Sequence, residues 1–135
     1  MQENFLAIDD CNHAIRLNRN FLDAYLERGL INYKIGHFTE AIKDFDKTIS
    51  HNSTSIAALN NRGLAFKAVG RFKDALLDFD NVILLEPDHV EALNNRGVVL
   101  KTMRRFDEAL KDLDKAISLS QKSYDIINNR GATLW

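Results

Sequence analysis

Asn94-Asn95-Arg96-Gly97 recurs along this chain as Asn60-Asn61-Arg62-Gly63 and as Asn128-Asn129-Arg130-Gly131. A weaker copy, Leu26-Glu27-Arg28-Gly29, lies upstream. The four glycines are evenly spaced, 34 positions apart, and a fixed period of that order marks a repeat architecture. With the glycine at position 8, full repeats run 22–55, 56–89 and 90–123, with half repeats 2–21 before and 124–135 after. The remaining columns test the period. Position 20 reads Ala7, Ala41, Ala75, Ala109, and position 17 reads Phe38, Phe72, Phe106. Position 24 reads Cys11, Phe45, Phe79, Leu113; position 27, Ala14, Thr48, Val82, Ala116; position 11, Asn32, Phe66, Leu100, Leu134. All are small or apolar except Asn32 and Thr48.

Each repeat carries two helical patterns. In 56–89, Leu59, Gly63, Phe66 and Val69 form one stripe. After Gly70 a second stripe follows, Phe72, Ala75, Leu76, Phe79, Val82, Ile83, again at helical spacing. Gly36 and Gly70 stand where a first helix should end in a left-handed residue. Pro87 and Asp88 mark the turn into the next repeat, with Asp88 the expected N-cap. Asn52-Ser53-Thr54-Ser55 and Ser120-Gln121-Lys122-Ser123 are expected turns. A glycine inside a helix costs roughly 1 kcal/mol relative to alanine, so one in every repeat implies close helix approach. Gly63 is expected against Ala75 and Gly97 against Ala109, with positions 24 and 27 packing on the next repeat. One repeat cannot bury its apolar face alone, whereas a stack can.

The chain has 135 residues, 45% hydrophobic and 27% charged, with formal net charge −1. That suffices for one continuous core, and the charge balance argues against nucleic acid as a partner. Cys11 is the only cysteine, so no intramolecular disulfide can form, and a lone thiol suits a reducing compartment. Residues 1–20 hold no basic segment followed by an apolar run, and no apolar stretch approaches the ~18 residues of a spanning helix. A cytoplasmic location without a membrane partner is expected. His13, His37, His51 and His89 fall at unlike repeat positions without metal spacing to Cys11. Neither a phosphate-binding glycine loop nor a nucleophile elbow is present. No catalysis, cofactor or metal is expected.

These columns resemble the tetratricopeptide repeat family: aromatic or leucine at 4 (Tyr25, Leu59, Leu93), Gly at 8, Ala at 20, aromatic at 24, a small residue at 27, Pro at 32 (Pro87). The chain departs in having arginine at 7, Arg19, Ser53 and Gln121 at 32, and Arg104 in place of the glycine at 15. The resemblance implies an all-α, right-handed superhelical solenoid of antiparallel helix pairs, about three full repeats plus a half repeat at each end. First helices should line a concave groove. Polar capping helices are expected at solenoid ends and are missing here, so the chain is expected to be a segment of a longer array, open to self-association at its uncapped Trp135 end.

Position 7 holds Arg28, Arg62, Arg96 and Arg130, and position 23 holds Asp10, Asp44, Asp78 and Asp112. A buried guanidinium needs a bidentate carboxylate, so a ladder of partly buried ion pairs is expected. Spacing leaves open whether Arg62 meets Asp44 of the preceding repeat or Asp78 of its own. In the family, positions 2, 5, 6, 9, 12 and 13 tend to face the groove. Asn61, Asn95 and Asn129 at position 6 look like the asparagine ladder of the O-linked N-acetylglucosamine transferase superhelix. There the amides grip the backbone of an extended peptide, since a carboxamide offers both donor and acceptor. Asn60, Asn94, Lys67, Lys101, Tyr33 and Leu64 complete the expected groove, and Glu27 interrupts the asparagine column. Acidic Asp23, Glu91 and Asp125 face basic Lys34, Lys67 and Lys101 across it, with Val98 and Trp135 adding apolar floor. The carboxylate clamp of chaperone-binding members is disfavoured, because position 5 is Leu26 or Asn60, position 9 is apolar and position 2 is acidic. The expectation is a non-catalytic scaffold for a protein or peptide partner. Its rivals are the targeting arm of a larger enzyme such as a glycosyltransferase, and an architectural or oligomerisation element.

Overall fold

The computed structural model describes residues 2–19 and 21–134, with side chains described for 3, 4, 7–19 and 21–122. Among the described residues there are only helices: α1 (Gln2–Leu17), α2 (Leu22–Lys34), α3 (Phe38–His51), α4 (Ile56–Ala68), α5 (Phe72–Leu85), α6 (Val90–Thr102) and α7 (Phe106–Leu134). They form an all-α helical-repeat superhelix. Each helix packs on its chain neighbours. In addition, α2 touches α4 and α4 touches α6, whereas no contact among the described residues joins α3 to α5 or α5 to α7. First helices therefore crowd together while second helices splay. The array curves toward α2, α4 and α6, which form its inner face.

The first helices all stop in the same way. Gly36 (φ 86°), Gly70 (φ 81°) and Arg104 (φ 64°) occupy the left-handed region. The next residue donates its N–H back to the helix, His37 to the Asn32 carbonyl, Arg71 to Phe66 and Arg105 to Leu100, each at 2.8 Å. This is the Schellman arrangement, in which glycine is favoured because it has no Cβ to clash. Arg104 adopts it regardless. At the other turns Ser55 accepts from the Ala58 N–H at 3.3 Å, and His89 accepts through Nδ1 from the Ala92 N–H at 3.0 Å. The cap of α6 is thus His89 and not Asp88. Asp88 lies one residue too early and instead faces Lys115 at 3.5 Å.

The glycine column answers to a different neighbour from the one expected. A Cβ at Gly63 would sit 2.6 Å from the Phe79 ring, one at Gly29 2.7 Å from Phe45, and one at Gly97 2.7 Å from Leu113, with the Ala109 carbonyl more distant at 3.4 Å. The close partner is position 24, one helical turn beyond the alanine column. That alanine is buried too: Ala41, Ala75 and Ala109 are at most 2% exposed. Phe45 clusters with Ala41 and Ala58, and Val82 with Leu59 and Ala92, so positions 24 and 27 do pack onto the next repeat.

The turn expected at Ser120–Ser123 is not formed. α7 runs without a break from Phe106 to Leu134, 29 residues, through the junction between the repeat at 90–123 and the half repeat at 124–135. The equivalent junctions hold Pro87, which cannot continue a helix, or Asn52-Ser53-Thr54, which compete with the helical backbone. Gln121 and Lys122 are good helix formers, and neither glycine nor proline interrupts them.

Candidate functional site

Each inner helix projects one arginine toward the second helix of its own repeat. Arg28 donates Nε and Nη2 to the two carboxylate oxygens of Asp44 at 2.9 and 2.6 Å. Arg62 does the same to Asp78 at 2.8 and 2.6 Å, and Arg96 to Asp112 at 2.7 Å for both bonds. Pairing is therefore within a repeat, sixteen residues apart, the same offset that brings Gly63 to Phe79. The remaining Nη1 reaches backward into the preceding repeat. It meets Asn12 at 2.7 Å from Arg28, Asp46 at 2.8 Å from Arg62, and Asp80 at 3.1 Å from Arg96. Each guanidinium joins three helices. The column that supplies this third arm, position 25, reads Asn12, Asp46, Asp80 and Asp114; it is as regular as the aspartates at 23 and was the signal missed in the sequence.

The three guanidiniums are held above their ordinary range, first by the hydrogen bonds to Asp44, Asp78 and Asp112. Burial pushes the Asp78 carboxyl up from its usual value, and Arg62 pulls against that. Geometry requires the carboxylate here, because both oxygens accept from one guanidinium. Desolvation offsets much of the attraction in such pairs, so their main effect is to fix how helices register. Asn32, the polar exception in its column, donates to Asp44 at 3.2 Å. Thr48, the other exception, donates to the Asp44 carbonyl at 3.3 Å. Asp10, expected in the same ladder, is exposed. The side chain of Arg130 lies outside the described residues.

The expected groove residues divide. Asn61 is half-buried, and its Nδ2 donates to the Ala57 carbonyl of its own helix at 2.7 Å. Asn95 is half-buried and donates to the Asn60 amide oxygen at 3.4 Å, linking α6 to α4. Asn60, expected to face the groove, is only 5% exposed and belongs to that helix–helix contact. Asn94 and Lys101 are exposed and Lys67 is half-buried. Tyr33 and Leu64 pack against the core, Tyr33 edge-on to Phe38 at 5.5 Å between ring centroids. The Asn129 side chain and Trp135 lie outside the described residues, as does the side chain of Asp125. Cys11 is buried, and burial, then Glu27, pushes its thiol pKa up, the inert setting expected of a core cysteine. Among the described residues no cluster of histidine, cysteine or carboxylates is placed to hold a metal, and no helix is long and apolar enough to cross a membrane.

Family models described as tetratricopeptide repeat match residues 90–123 and 22–52. No curated protein matches the chain in sequence. Solved structures do. A crystal structure of MamA superposes with TM-score 0.82 at 23% identity, covering 87% of this chain and 69% of that one. MamA from residue 41 to its end, from Desulfovibrio magneticus RS-1, gives TM-score 0.85 at 15% identity over 90% and 68%. A tetratricopeptide repeat protein from Parabacteroides merdae ATCC 43184 gives TM-score 0.82 at 23% identity over 90% and 48%. Likeness at this level of identity concerns the fold.

Proposed function

We propose that this chain, matched by tetratricopeptide repeat models over 22–52 and 90–123, is a non-catalytic, cytoplasmic protein–protein interaction scaffold that holds an extended peptide along the face formed by α2, α4 and α6. The observation that carries this reading is the stacking of α2 on α4 and α4 on α6, which makes one continuous inner surface. Asn61 on α4 and Asn95 on α6 lie one repeat apart, each half-buried, and in this reading both face the peptide. With the Nδ2 groups turned to Ala57 and Asn60, the side-chain oxygens of Asn61 and Asn95 are the atoms left to accept from a peptide N–H. Exposed Asn94 and Lys101 and half-buried Lys67 flank them. Backbone contacts of this kind favour an extended peptide without regard to its side chains, and the lysines bias the choice among peptides.

The test is titration of unstructured peptides of unrelated sequence, followed by fluorescence anisotropy. Asn61→Ala, Asn95→Ala and Asn129→Ala are each expected to weaken binding by ~0.5–1.5 kcal/mol, similarly for all peptides and with weak salt dependence. Lys67→Ala and Lys101→Ala are expected to change which peptides are preferred. A folded triple asparagine variant with full affinity would refute the ladder. The Asn95–Asn60 bond favours one second reading, an architectural element whose amides join repeats to one another; in that case Asn95→Ala lowers stability and no peptide binds.

A further inference from the structure

The last complete repeat has an outer face that the interior repeats keep covered. Phe106, Leu110 and Ile117 are 51, 56 and 64% exposed. Their counterparts one and two repeats earlier are not. At the Leu110 position, Ile42 and Leu76 are 8 and 9% exposed and sit in the main core cluster. At the Ile117 position, Ile49 and Ile83 pack around Leu59, Val82 and Ala92. In each interior case part of the cover comes from the first helix of the following repeat. Here a cleft of about 730 Å³ lies open between α6 and α7, lined by Val90, Asn94, Ala116 and Ile117 among others.

The sequence contains a helix made for that face. Residues 124–134 repeat the first-helix pattern, with Asn128-Asn129-Arg130-Gly131 in register. They also match this face in size. Where Phe45 meets Ala58 in the interior, the last repeat has the smaller Leu113 and the segment has the larger Ile126 at the corresponding positions. Such volume exchange preserves core packing. Yet residues 124–134 continue α7 without a turn, and a continuous helix cannot fold back onto the face from which it extends.

We infer that the face of α7 formed by Phe106, Leu110 and Ile117 is filled by residues 124–134 of a second copy of this chain, the two α7 helices crossing antiparallel near Ser120. One two-fold axis then satisfies both faces, as an isologous interface demands. Exchange of an identical element between protomers is a low-cost route to a dimer when a hinge straightens. The helix extends roughly 43 Å at 1.5 Å per residue, long enough for each half to lie on the other's partner half. The two readings share Asn94 and Asn129, but this one is read by oligomeric state and that one by peptide titration, so the failure of one is distinguishable from the failure of the other.

The experiment is light scattering coupled to size exclusion on the 135-residue chain, with circular dichroism to verify folding. The wild type is expected at twice its 15.4 kDa mass, falling toward the monomer on dilution by mass action. Ile117→Asp is expected to give a folded monomer at all concentrations. Gln121→Pro, which restores the turn residue of the Pro87 junction, is expected to give a monomer with 124–134 folded back on its own α7. Leu77→Asp, at an exposed site on α5, is expected to leave the dimer intact. A wild-type monomer, whether open or folded back, would overturn the inference. So would a dimer that survives both Ile117→Asp and Gln121→Pro, or one that Leu77→Asp dissolves.

Discussion

The junction at Glu86–His89 and the stretch at Ser120–Ser123 occupy the same repeat positions and behave differently. At the first, the chain leaves α5 through Pro87, the His89 N–H donates to the Glu86 carbonyl at 3.1 Å, and His89 caps α6. At the second, helix continues. Ser123 stands where Ser55 and His89 cap their helices, so the capping residue is present and the breaking residue is not. The comparison separates two roles that a turn sequence combines: a cap stabilises a helix start, typically by ~1 kcal/mol, while a breaker forbids the alternative, at ~3 kcal/mol for proline in a helix interior. Without the breaker, the cap alone does not decide the path of the chain.

The interior of the array and its far end should therefore differ in how they tolerate damage. The largest effect is expected at the interior clamp. Arg62→Met leaves the Asp78 carboxylate, 1% exposed, without its partner, and stability measured by urea denaturation is expected to fall by about 3–5 kcal/mol. A loss under about 1 kcal/mol would mean that the pair contributes only registration. The glycines come next. Gly63→Ala drives a methyl against the Phe79 ring, which is fully buried, and should cost about 1–3 kcal/mol. Gly97→Ala meets Leu113, a half-buried and more flexible side chain beside the open face, and should cost less. Equal losses in thermal melts would show that the end is packed as firmly as the middle. The smallest effect, and opposite in sign, is expected at Arg104. Glycine at this left-handed position relieves a cost of roughly 1–2 kcal/mol and adds unfolded-chain entropy of roughly half that, so Arg104→Gly should raise stability by about 0.5–1 kcal/mol. A melting temperature unchanged or lowered would show that Arg104 makes a compensating contact.

What could be read in the sequence was whatever repeats. Helices α1 to α6, their breaks at Gly36 and Gly70, and the buried alanines at position 20 all follow from columns that agree in period. Spacing alone could not choose between Asp44 and Asp78 for Arg62, because both lie at fixed offsets; the choice depends on which second helix crosses the first at that height. The same crossing makes Phe79 the nearest neighbour of a Cβ at Gly63. Cap assignment failed by one residue at Asp88 because the α6 start is set by backbone geometry after Pro87, and a histidine nitrogen can accept as an aspartate oxygen does. Asn60 occupies a groove position of the repeat, but position in a repeat does not record how near the neighbouring helix comes. The continuation of α7 turns on a balance between the helix propensity of Gln121-Lys122 and the burial of 124–134, two terms of similar size that periodicity does not weigh.

The third arm of each arginine has a consequence for how the array comes apart. In a solenoid, stability is a sum of repeat terms and nearest-neighbour interface terms, and Nη1 is an interface term tied to a repeat term through one rigid plane. The guanidinium that loses its neighbour also loses a constraint on its own bidentate pair, so opening at one seam loosens the repeat behind it. The seams are unequal. Arg62 and Arg96 reach carboxylates across theirs, while Arg28 reaches the neutral amide of Asn12. The two inner seams thus carry an ion-paired arm that the seam at α1 lacks, and if that arm matters, α1 is the first helix expected to open when the array is stressed.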